Sequence, residues 1–340
     1  MQTKTLFVGI DVSKLTLDIA ITLDGKTIEA NLKTPNNQAG FKALTSWMKR
    51  HARLQECDEI HCCIESTGIY SDAIVDYLQE LGGLKVSFIN PVQAKAYGRT
   101  VLLRTKTDKV DAGLLARYVA AVKPAVTLPI PMEIKELRSL IRHLDYLITR
   151  RAQEKGHLES TTDKVVINSV KDTLKHYDKQ IKKLEKLIKG YLDKRPDLKE
   201  KVELLKTIPG IGETTARILL CELHVENNDE KITAKVQIAH AGLAPAQKQS
   251  GQSVRGKSMI CRTGNARLRR CLYFPAIVAS KFNPVITGFY QRLIKRGKHK
   301  KVAIVAAMRK LLSIAIGVLN NKVAFDPEWV VKTVKQVKCA

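Results

Sequence analysis

Four acidic side chains in the first third of the sequence have the types and spacing of a metal-binding site. Asp11 ends the apolar stretch TLFVGID, and Glu65 ends the apolar stretch EIHCCIE. Asp108 and Asp111 lie three residues apart in KTDKVDAGL, so a helix would place them on one face. Close carboxylates repel one another unless cations lie between them. The four residues therefore predict a site for two Mg²⁺ ions that would activate a nucleophile and stabilise a leaving oxygen on phosphorus.

Each of these acids, taken singly, also has an ordinary structural interpretation. An Asp at the end of a strand often caps a turn, and a pair of Asp residues three apart often begins a solvated helix. Asp108 in particular has the position expected of a helix N-cap.

A long basic segment carries a second set of candidate residues. From Lys231 to Phe325 there are 19 Lys and Arg and no Asp or Glu. Within it, the stretch QSGQSVRGKSMICRTGNARLRR (249–270) combines cations with serines and glycines, as a phosphate-binding loop would. The candidate phosphate contacts are Arg255, Lys257, Arg262, Arg267, Arg269 and Arg270. Spacing alone does not assign a reaction to any serine here, because serine beside glycine also suits a turn.

The net charge of +25 is concentrated near the C-terminus. Residues 204–340 contain 24 basic and 7 acidic residues, a net of +17. An excess of one sign this large predicts a polyanionic partner. The apolar stretch 302–319 is interrupted by Arg309 and Lys310, so we expect a buried helix and no membrane partner. Seven cysteines without zinc spacing, and an N-terminus without a signal peptide, favour reduced thiols in the cytoplasm.

The elements that must position the four carboxylates follow from the apolar periodicity. Strands are predicted at 5–11, 16–23, 26–34, 59–66 and 84–90, and helices at 37–51, 69–81 and 108–122. Hairpin strands followed by alternating helices and strands predict an α/β domain with a mixed sheet, an order that suits the ribonuclease-H-like fold. Sugar-kinase and actin-like ATPases share that fold. Their phosphate loop usually has glycine where Ser13 and Lys14 follow Val12 here, which disfavours that class.

The rest of the chain is predicted to be mostly helical. KPAVTLPIP (123–131) has three prolines and is predicted to be a linker. Two long charged helices should follow, forming either a coiled-coil-like arm or a pair packed within the chain. LLKTIPGIGETTARILLCEL (204–223) predicts a helix-hairpin-helix motif whose Gly210 and Gly212 let backbone N–H groups reach a phosphate, with an ordinary helical hairpin as the alternative. The predicted domains are 1–125 (catalytic, α/β), 126–203 (linker and arm), 204–325 (mostly helical) and 326–340 (tail).

Seven stretches closely resemble, in the same order, the IS110 group of bacterial insertion-sequence transposases, which includes pilin-gene invertases. They are GIDVSK, IESTGIY, NPVQAKAYGRT, RTKTDKVDAGLLARY, LLKTIPGIGETTA, AGLAPAQKQSGQSVRGK and TGNARLRRCLY. The resemblance implies a RuvC-like N-terminal domain whose Asp-Glu-Asp-Asp quartet is Asp11, Glu65, Asp108 and Asp111. It also implies a structured bridge RNA that pairs with donor and target double-stranded DNA, and a homo-oligomer, dimer or tetramer, in which the two halves of the site meet across subunits.

The same resemblance implies a catalytic serine in a C-terminal transposase domain. It matches Ser250, which Gly251 follows, while Ser253 and Ser258 remain local alternatives. One departure is visible: the family commonly has Ile-Ser-Lys before the Gly-Asn pair, and this chain has Ile260-Cys261-Arg262. The charge is kept at that point, but the hydroxyl is lost.

The expected function is RNA-guided, Mg²⁺-dependent strand exchange between DNA molecules through a serine–phosphate ester. Such an ester keeps the energy of the broken bond, so a strand can be rejoined without ATP. The main alternative is a RuvC-like resolving nuclease that uses metal-activated water and leaves Ser250 with a structural role. A protein that packages nucleic acid with its basic half is a further alternative, but it leaves the four acids unexplained.

Overall fold

The structure is a computed structural model in which the chain divides between Pro129 and Ile130 into two compact units. We call them the N-terminal unit and the C-terminal unit. The described residues are 4–66, 68, 70–102, 107–223, 233–246, 249–250, 254–255, 259–261 and 263–328. For residues 249, 250, 254 and 255 the description covers the backbone.

The N-terminal unit is a five-stranded mixed sheet with helices on both faces. Its elements are β1 (Thr5–Val12), β2 (Thr16–Thr22), β3 (Ala30–Pro35), α1 (Gln38–Leu54), β4 (Glu59–Glu65), α2 (Asp72–Leu81), β5 (Lys85–Ile89), α3 (Pro91–Thr100) and α4 (Asp108–Val122). The strand order is β3-β2-β1-β4-β5, with β1, β2 and β3 antiparallel and β1, β4 and β5 parallel. The mixed sheet flanked by helices is thus confirmed.

Strand β3 begins later than the periodicity predicts. The predicted strand starts at residue 26, but β3 starts at Ala30. The Asp24 carboxylate accepts hydrogen bonds from the backbone N–H groups of Lys26 (2.7 Å) and Thr27 (2.9 Å), which folds these residues into a turn. An Asp side chain that binds its own following backbone competes with strand pairing.

The two faces of β1 pack against different helices. Leu6, Val8 and Ile10 point to one face and form a core with α1 and α2. Gly9 points to the other face, where a Cβ atom would lie 2.1 Å from the carbonyl oxygen of Ala112 in α4. Only glycine allows this approach, so Gly9 sets the position of α4 on the sheet.

The C-terminal unit is mostly helical. Its helices are α5 (Met132–Ser160), α6 (Lys164–Asp193), α7 (Pro196–Lys206), α8 (Glu213–Glu222), α9 (Ala234–His240), α10 (Ala266–Cys271), α11 (Tyr273–Phe282), α12 (Pro284–Lys295) and α13 (Lys300–Asn321). Four two-residue strands lie between α9 and α10: β6 (Pro245–Ala246), β7 (Gln249–Ser250), β8 (Val254–Arg255) and β9 (Met259–Ile260). The predicted mostly helical C-terminal region is confirmed.

The two long helices pack against each other within the chain. Leu137, Ile141 and Leu144 of α5 are buried in one core with Leu184 and Ile188 of α6. The inner halves of both helices therefore belong to the core of the C-terminal unit. This is the second of the two arrangements that the periodicity allows.

Helix α13 is the central helix of the C-terminal core. Ala307, Leu311 and Ala315 are fully buried along it. Among the described residues it is the one helix long and apolar enough to cross a bilayer, a test that buried core helices also pass. Arg309 and Lys310, which interrupt its apolar sequence, lie half-buried at its middle.

Candidate active site

The ends of two parallel strands place Asp11 beside Glu65. Ile10 of β1 pairs with Ile64 of β4, so the next residue on each strand lies at the same level. Ile10 and Ile64 are buried on the face covered by α1 and α2. Because side chains alternate along a strand, Asp11 and Glu65 belong to the opposite face, the one covered by α4.

The first turn of α4 carries the other two acids. Thr107 is the N-cap, and its side chain accepts a hydrogen bond from the N–H of Val110 at 3.3 Å. The alternative in which Asp108 is the N-cap is therefore wrong, because Asp108 is already the first helical residue. Asp108 and Asp111 both lie at the positive end of the helix dipole, where carboxylates are stabilised. The close contact at Gly9 brings this end of α4 next to Asp11, two residues further along β1.

The charges of the other three acids act on Asp11. Burial, followed by the charges of Asp111, Asp108 and Glu65, raises the pKa of Asp11 to about 6. A further acid that the sequence reasoning missed, Asp18, contributes to the same shift. It pairs with Asp11 across β1 and β2, and its charge is opposed by Lys33 at 3.1 Å. The sequence feature that could have indicated Asp18 is an acid within the alternating stretch TLDIAITL.

The donor chemistry of this cluster fits a hard divalent cation. All four predicted ligands are carboxylates, which Mg²⁺ prefers, and burial together with the charges of the other acids raises the pKa of Asp11. Within the described part of the chain, no three His, Cys, Asp or Glu side chains are arranged closely enough to hold a metal ion. The four side chains therefore match Mg²⁺ in their chemical type and in their charge.

Ser250 lies in a nested pair of short hairpins. The outer pair is β6 with β9, in which Pro245 pairs with Ile260. The inner pair is β7 with β8, in which Ser250 pairs with Val254. Arg255 pairs with Gln249 in the same ladder. Gly251, Ser253, Lys257, Ser258 and Arg262 lie outside the described residues.

Comparison with known proteins identifies the relatives of this chain. Residues 8–167 match the family model of DEDD transposases of the IS110 type, and residues 202–291 match that of the IS116/IS110/IS902 transposase family. The chain is 34% identical over 328 residues to the pilin gene-inverting protein of Moraxella bovis, covering 94% of this chain and 97% of that protein. The chain belongs to the IS110 family of transposases. Members of this family are enzymes that cleave and rejoin DNA.

Other relatives agree with this assignment. The pilin gene-inverting protein of Moraxella lacunata is also 34% identical, over the same share of both chains. The transposase for insertion sequence element IS1533 of Leptospira borgpetersenii is 27% identical over 254 residues, covering 65% of this chain and 70% of that protein.

Three of the arginines predicted to bind phosphate make contacts within the C-terminal unit of the transposase. Arg267 and Arg270 both reach the Asp145 carboxylate, at 2.8 and 2.6 Å, and Arg269 donates to the carbonyl oxygen of Ala241 at 2.9 Å. Arg267 and Arg269 are thus accounted for by protein contacts. Arg270 remains mostly exposed beside its partner, so its predicted role in binding nucleic acid stays a prediction.

The two glycines of the 204–223 motif differ in their surroundings. Helices α7 and α8 flank a turn that contains both residues. Gly210 has φ +105°, and a Cβ atom there would lie 2.8 Å from Ala279 of α11, so its backbone is packed against protein. Gly212 is the N-cap of α8 and has open space around it. A phosphate contact at this motif stays a prediction, and the surroundings favour Gly212 over Gly210.

A buried acid, Glu222, is the main feature of the C-terminal unit that the sequence reasoning missed. It is 4% exposed and accepts two hydrogen bonds from Arg142, at 3.0 and 3.1 Å. Asn265 donates to it at 2.8 Å and also caps α10 through its carbonyl oxygen. Glu222 therefore ties the long helix α5 to the TGN turn that follows β9. Its signal was a lone acid in the apolar stretch RILLCEL.

Proposed function

We propose that this transposase joins donor and target DNA by strand exchange through a covalent ester on Ser250, assisted by Mg²⁺ and guided by a bridge RNA. The observation that carries the proposal is the group of carboxylates at the ends of β1 and β4 and the start of α4, where burial and then the charges of neighbouring acids raise the pKa of Asp11 to about 6. Acids whose charges raise the pKa of a neighbouring carboxyl are suited to a cation and poorly suited to direct contact with phosphate.

The quartet would supply the metal-binding half of the reaction. Asp11, Glu65, Asp108 and Asp111 would hold Mg²⁺, which when bound would stabilise negative charge on the phosphate oxygens. In this chain the parallel register of β1 and β4 positions two of these acids, and the packing of α4 at Gly9 positions the other two. The strand pairing and the helix packing both belong to the buried interior of the N-terminal unit, so the four carboxylates are held by a rigid framework.

Ser250 would supply the nucleophile. Its Oγ attacks phosphorus and forms a new O–P bond, and the bond from phosphorus to one sugar oxygen breaks. The proton lost by the serine hydroxyl balances the proton gained by the leaving sugar oxygen. Attack by the sugar hydroxyl of the exchanging strand reverses these steps and frees the serine. The support for this role from the inner hairpin is its pairing of Ser250 with Val254, the residue before Arg255.

The partners follow from the family resemblance and the charge. Both sources of support, the matching motifs and the net charge of +17 over residues 204–340, favour DNA and a structured RNA as polyanionic ligands. We further propose a homo-oligomer, dimer or tetramer, acting on DNA in the cytoplasm, in which Ser250 of one subunit meets the quartet of another.

The test is to trap the covalent ester. The full-length protein is incubated with Mg²⁺, its copurified RNA and a DNA substrate nicked near the crossover, and adducts are separated in denaturant. We expect a protein–DNA adduct that is absent in Ser250→Ala, absent in EDTA, and absent in Asp11→Ala, Glu65→Ala, Asp108→Ala and Asp111→Ala. DNA binding should persist in all of these variants.

The matched control is Ser253→Ala, which should keep the adduct. Mapping of the adduct to Ser253 or Ser258 would retain the mechanism and reject Ser250. If the parent protein formed no adduct and Ser250→Ala still cut DNA with water-derived ends, the resolving nuclease would be the correct function. Sequencing of the copurified RNA tests the guide separately.

A further inference from the structure

The turn between α12 and α13 carries five exposed cations in seven residues. They are Lys295, Arg296, Lys298, Lys300 and Lys301, in the stretch KRGKHKK. None of them forms a salt bridge within the part of the chain that the structure describes. This differs from Arg267 and Arg270, whose charges are met by Asp145.

The backbone of this turn is closed by hydrogen bonds. The N–H of Gly297 donates to the carbonyl oxygen of Ile294 at 2.9 Å, and the N–H of Lys298 donates to that of Leu293 at 3.1 Å. This is the pairing of a Schellman motif, with Gly297 in the left-handed region at φ +73°. The five cations are therefore presented on an ordered backbone.

Two of the lysines lie at the start of a helix, where the helix dipole repels positive charge. Lys300 and Lys301 begin α13, whose first turn contains no acid. The start of a helix is its positive end, so lysines there reduce stability and acids would increase it. The transposase follows the favourable rule at α4, where Asp108 and Asp111 occupy the first turn. An anion bound at the start of α13 would remove the repulsion.

Further positive charge lies near this end of α12. Arg292, one turn before Lys295, is exposed, and its charge acts on Lys310 of α13. Burial, and after it the charge of Arg292, lowers the pKa of Lys310. Cations close enough to disfavour one another on neighbouring helices also suit an anionic ligand.

We propose that the turn 295–301, with the first turn of α13, is a binding site for the phosphodiester backbone of a nucleic acid. An ordered row of cations without acids matches a chain of phosphates, and lysine contacts of this kind carry no base specificity. This inference rests on the proposed function and adds the place where the phosphodiester backbone of the nucleic acid binds. It does not depend on Ser250, because its test measures equilibrium binding without strand cleavage.

The test uses the full-length variant Lys300→Gln/Lys301→Gln and measures affinity against salt concentration. The matched control is Lys182→Gln/Lys183→Gln, which removes two exposed lysines from α6. Probes are a DNA duplex and an RNA hairpin of about the same length. Each phosphate contact contributes about 0.9 to the salt slope on duplex DNA, so we expect the slope to fall by about 2 and Kd to rise about tenfold. The melting temperature should stay equal or rise, because the dipole conflict is relieved.

The two probes distinguish the source of the phosphates. Loss on DNA alone assigns the turn to donor or target DNA, loss on RNA alone assigns it to the guide, and equal loss assigns it to backbone charge common to both. The proposal is overturned if the slope and Kd change no more than in the control. Should the double variant fail to fold, Lys298→Gln, outside both helices, must lower the slope by about 1; an unchanged slope there also overturns it.

Discussion

Asp11 and Glu222 are both acids withdrawn from solvent, yet their pKa values move in opposite directions. Burial raises the pKa of Asp11, and the surrounding carboxylates Asp111, Asp108 and Glu65 raise it further, to about 6. Burial also acts to raise the pKa of Glu222, but hydrogen bonds from Arg142 and Asn265 outweigh it, and the net shift is downward. Burial acts to raise both pKa values; the neighbours add to that shift at Asp11 and reverse it at Glu222.

The difference lies in the charges that surround each acid. Glu222 has the guanidinium of Arg142 within hydrogen-bonding distance and joins α5 to the TGN turn. The charges that act on Asp11 are those of other acids, an arrangement that lowers stability and that folding alone does not require. Strain of this kind is characteristic of functional sites, and it supports the proposed role of the quartet.

The largest expected effect tests how α4 is positioned over Asp11. Gly9→Ala would place a methyl group 2.1 Å from the carbonyl oxygen of Ala112, a backbone atom that cannot move without the helix. We expect a loss of about 3 kcal/mol in the free energy of unfolding, measured by denaturant titration. Recombination should fall even in the fraction that remains folded, because Asp108 and Asp111 would move away from β1.

Gly113→Ala is the matched control for Gly9→Ala. It lies in α4, where a Cβ atom would make only ordinary contacts with Ile28 at 3.6 Å. Removing a glycine from a helix interior should leave stability unchanged or raise it by up to about 1 kcal/mol. Equal stability of the two variants would show that α4 is not held at Gly9.

The next effect tests the paired acid. Glu222→Ala leaves Arg142 and Asn265 without their acceptor, and we expect a loss of about 2–3 kcal/mol near neutral pH. The loss stays below the range for fully buried pairs because the Arg142 side chain is 47% exposed and can be hydrated.

The pH dependence follows from the lowered pKa of Glu222. Its stabilisation is present above its unfolded value of 4.5 and is lost as the pH falls through its folded pKa, so parent and variant should converge in acid. Glu203→Ala, which removes an exposed partner of Lys206, should cost less than about 0.5 kcal/mol. A cost for Glu222→Ala as small as this control's would mean that Arg142 and Asn265 do not depend on it.

The smallest effect has the opposite sign and concerns Asp11. The pKa of Asp11 is raised from 3.8 to about 6 in the folded protein. Protonation of Asp11 therefore stabilises the fold fully below pH 3.8, and this stabilisation is lost as the pH rises through about 6. Asp11→Asn should therefore stabilise the metal-free protein by roughly 1–2 kcal/mol at neutral pH, after allowance for solvent screening, and by little in acid. Glu29→Gln, an exposed acid of the same unit, should change stability at neither pH.

Mg²⁺ sharpens the same measurement. At ten times its dissociation constant the ion should stabilise the parent protein by about 1.4 kcal/mol, and it should do so less in Asp11→Asn. Sodium chloride of matched ionic strength is the control for screening. Equal stabilisation of parent and variant by Mg²⁺ would mean that Asp11 is not part of a metal site.

Local rules in the sequence were sufficient to predict the mixed sheet and the elements that carry the four acids. The continuous apolar stretches TLFVGID and EIHCCIE predict that β1 and β4 are buried strands, and their ends bring Asp11 and Glu65 to one edge of the sheet. The spacing of Asp108 and Asp111 puts them in one helical turn. The apolar stretch 302–319 predicts the central helix of the C-terminal core for the same kind of reason. These features depend on residues close together in the chain.

Only the tertiary structure decided which charges are met by protein and which are left for a ligand. Arg267 and the five cations of the KRGKHKK turn look alike in the sequence, but Asp145 on a distant helix meets Arg267, and no described acid meets the turn. In the same way, the pKa of Asp11 depends on acids from β4 and α4, and that of Glu222 depends on Arg142 of α5. Charge interactions reach across elements that folding brings together, so they follow from three-dimensional proximity and not from spacing along the chain.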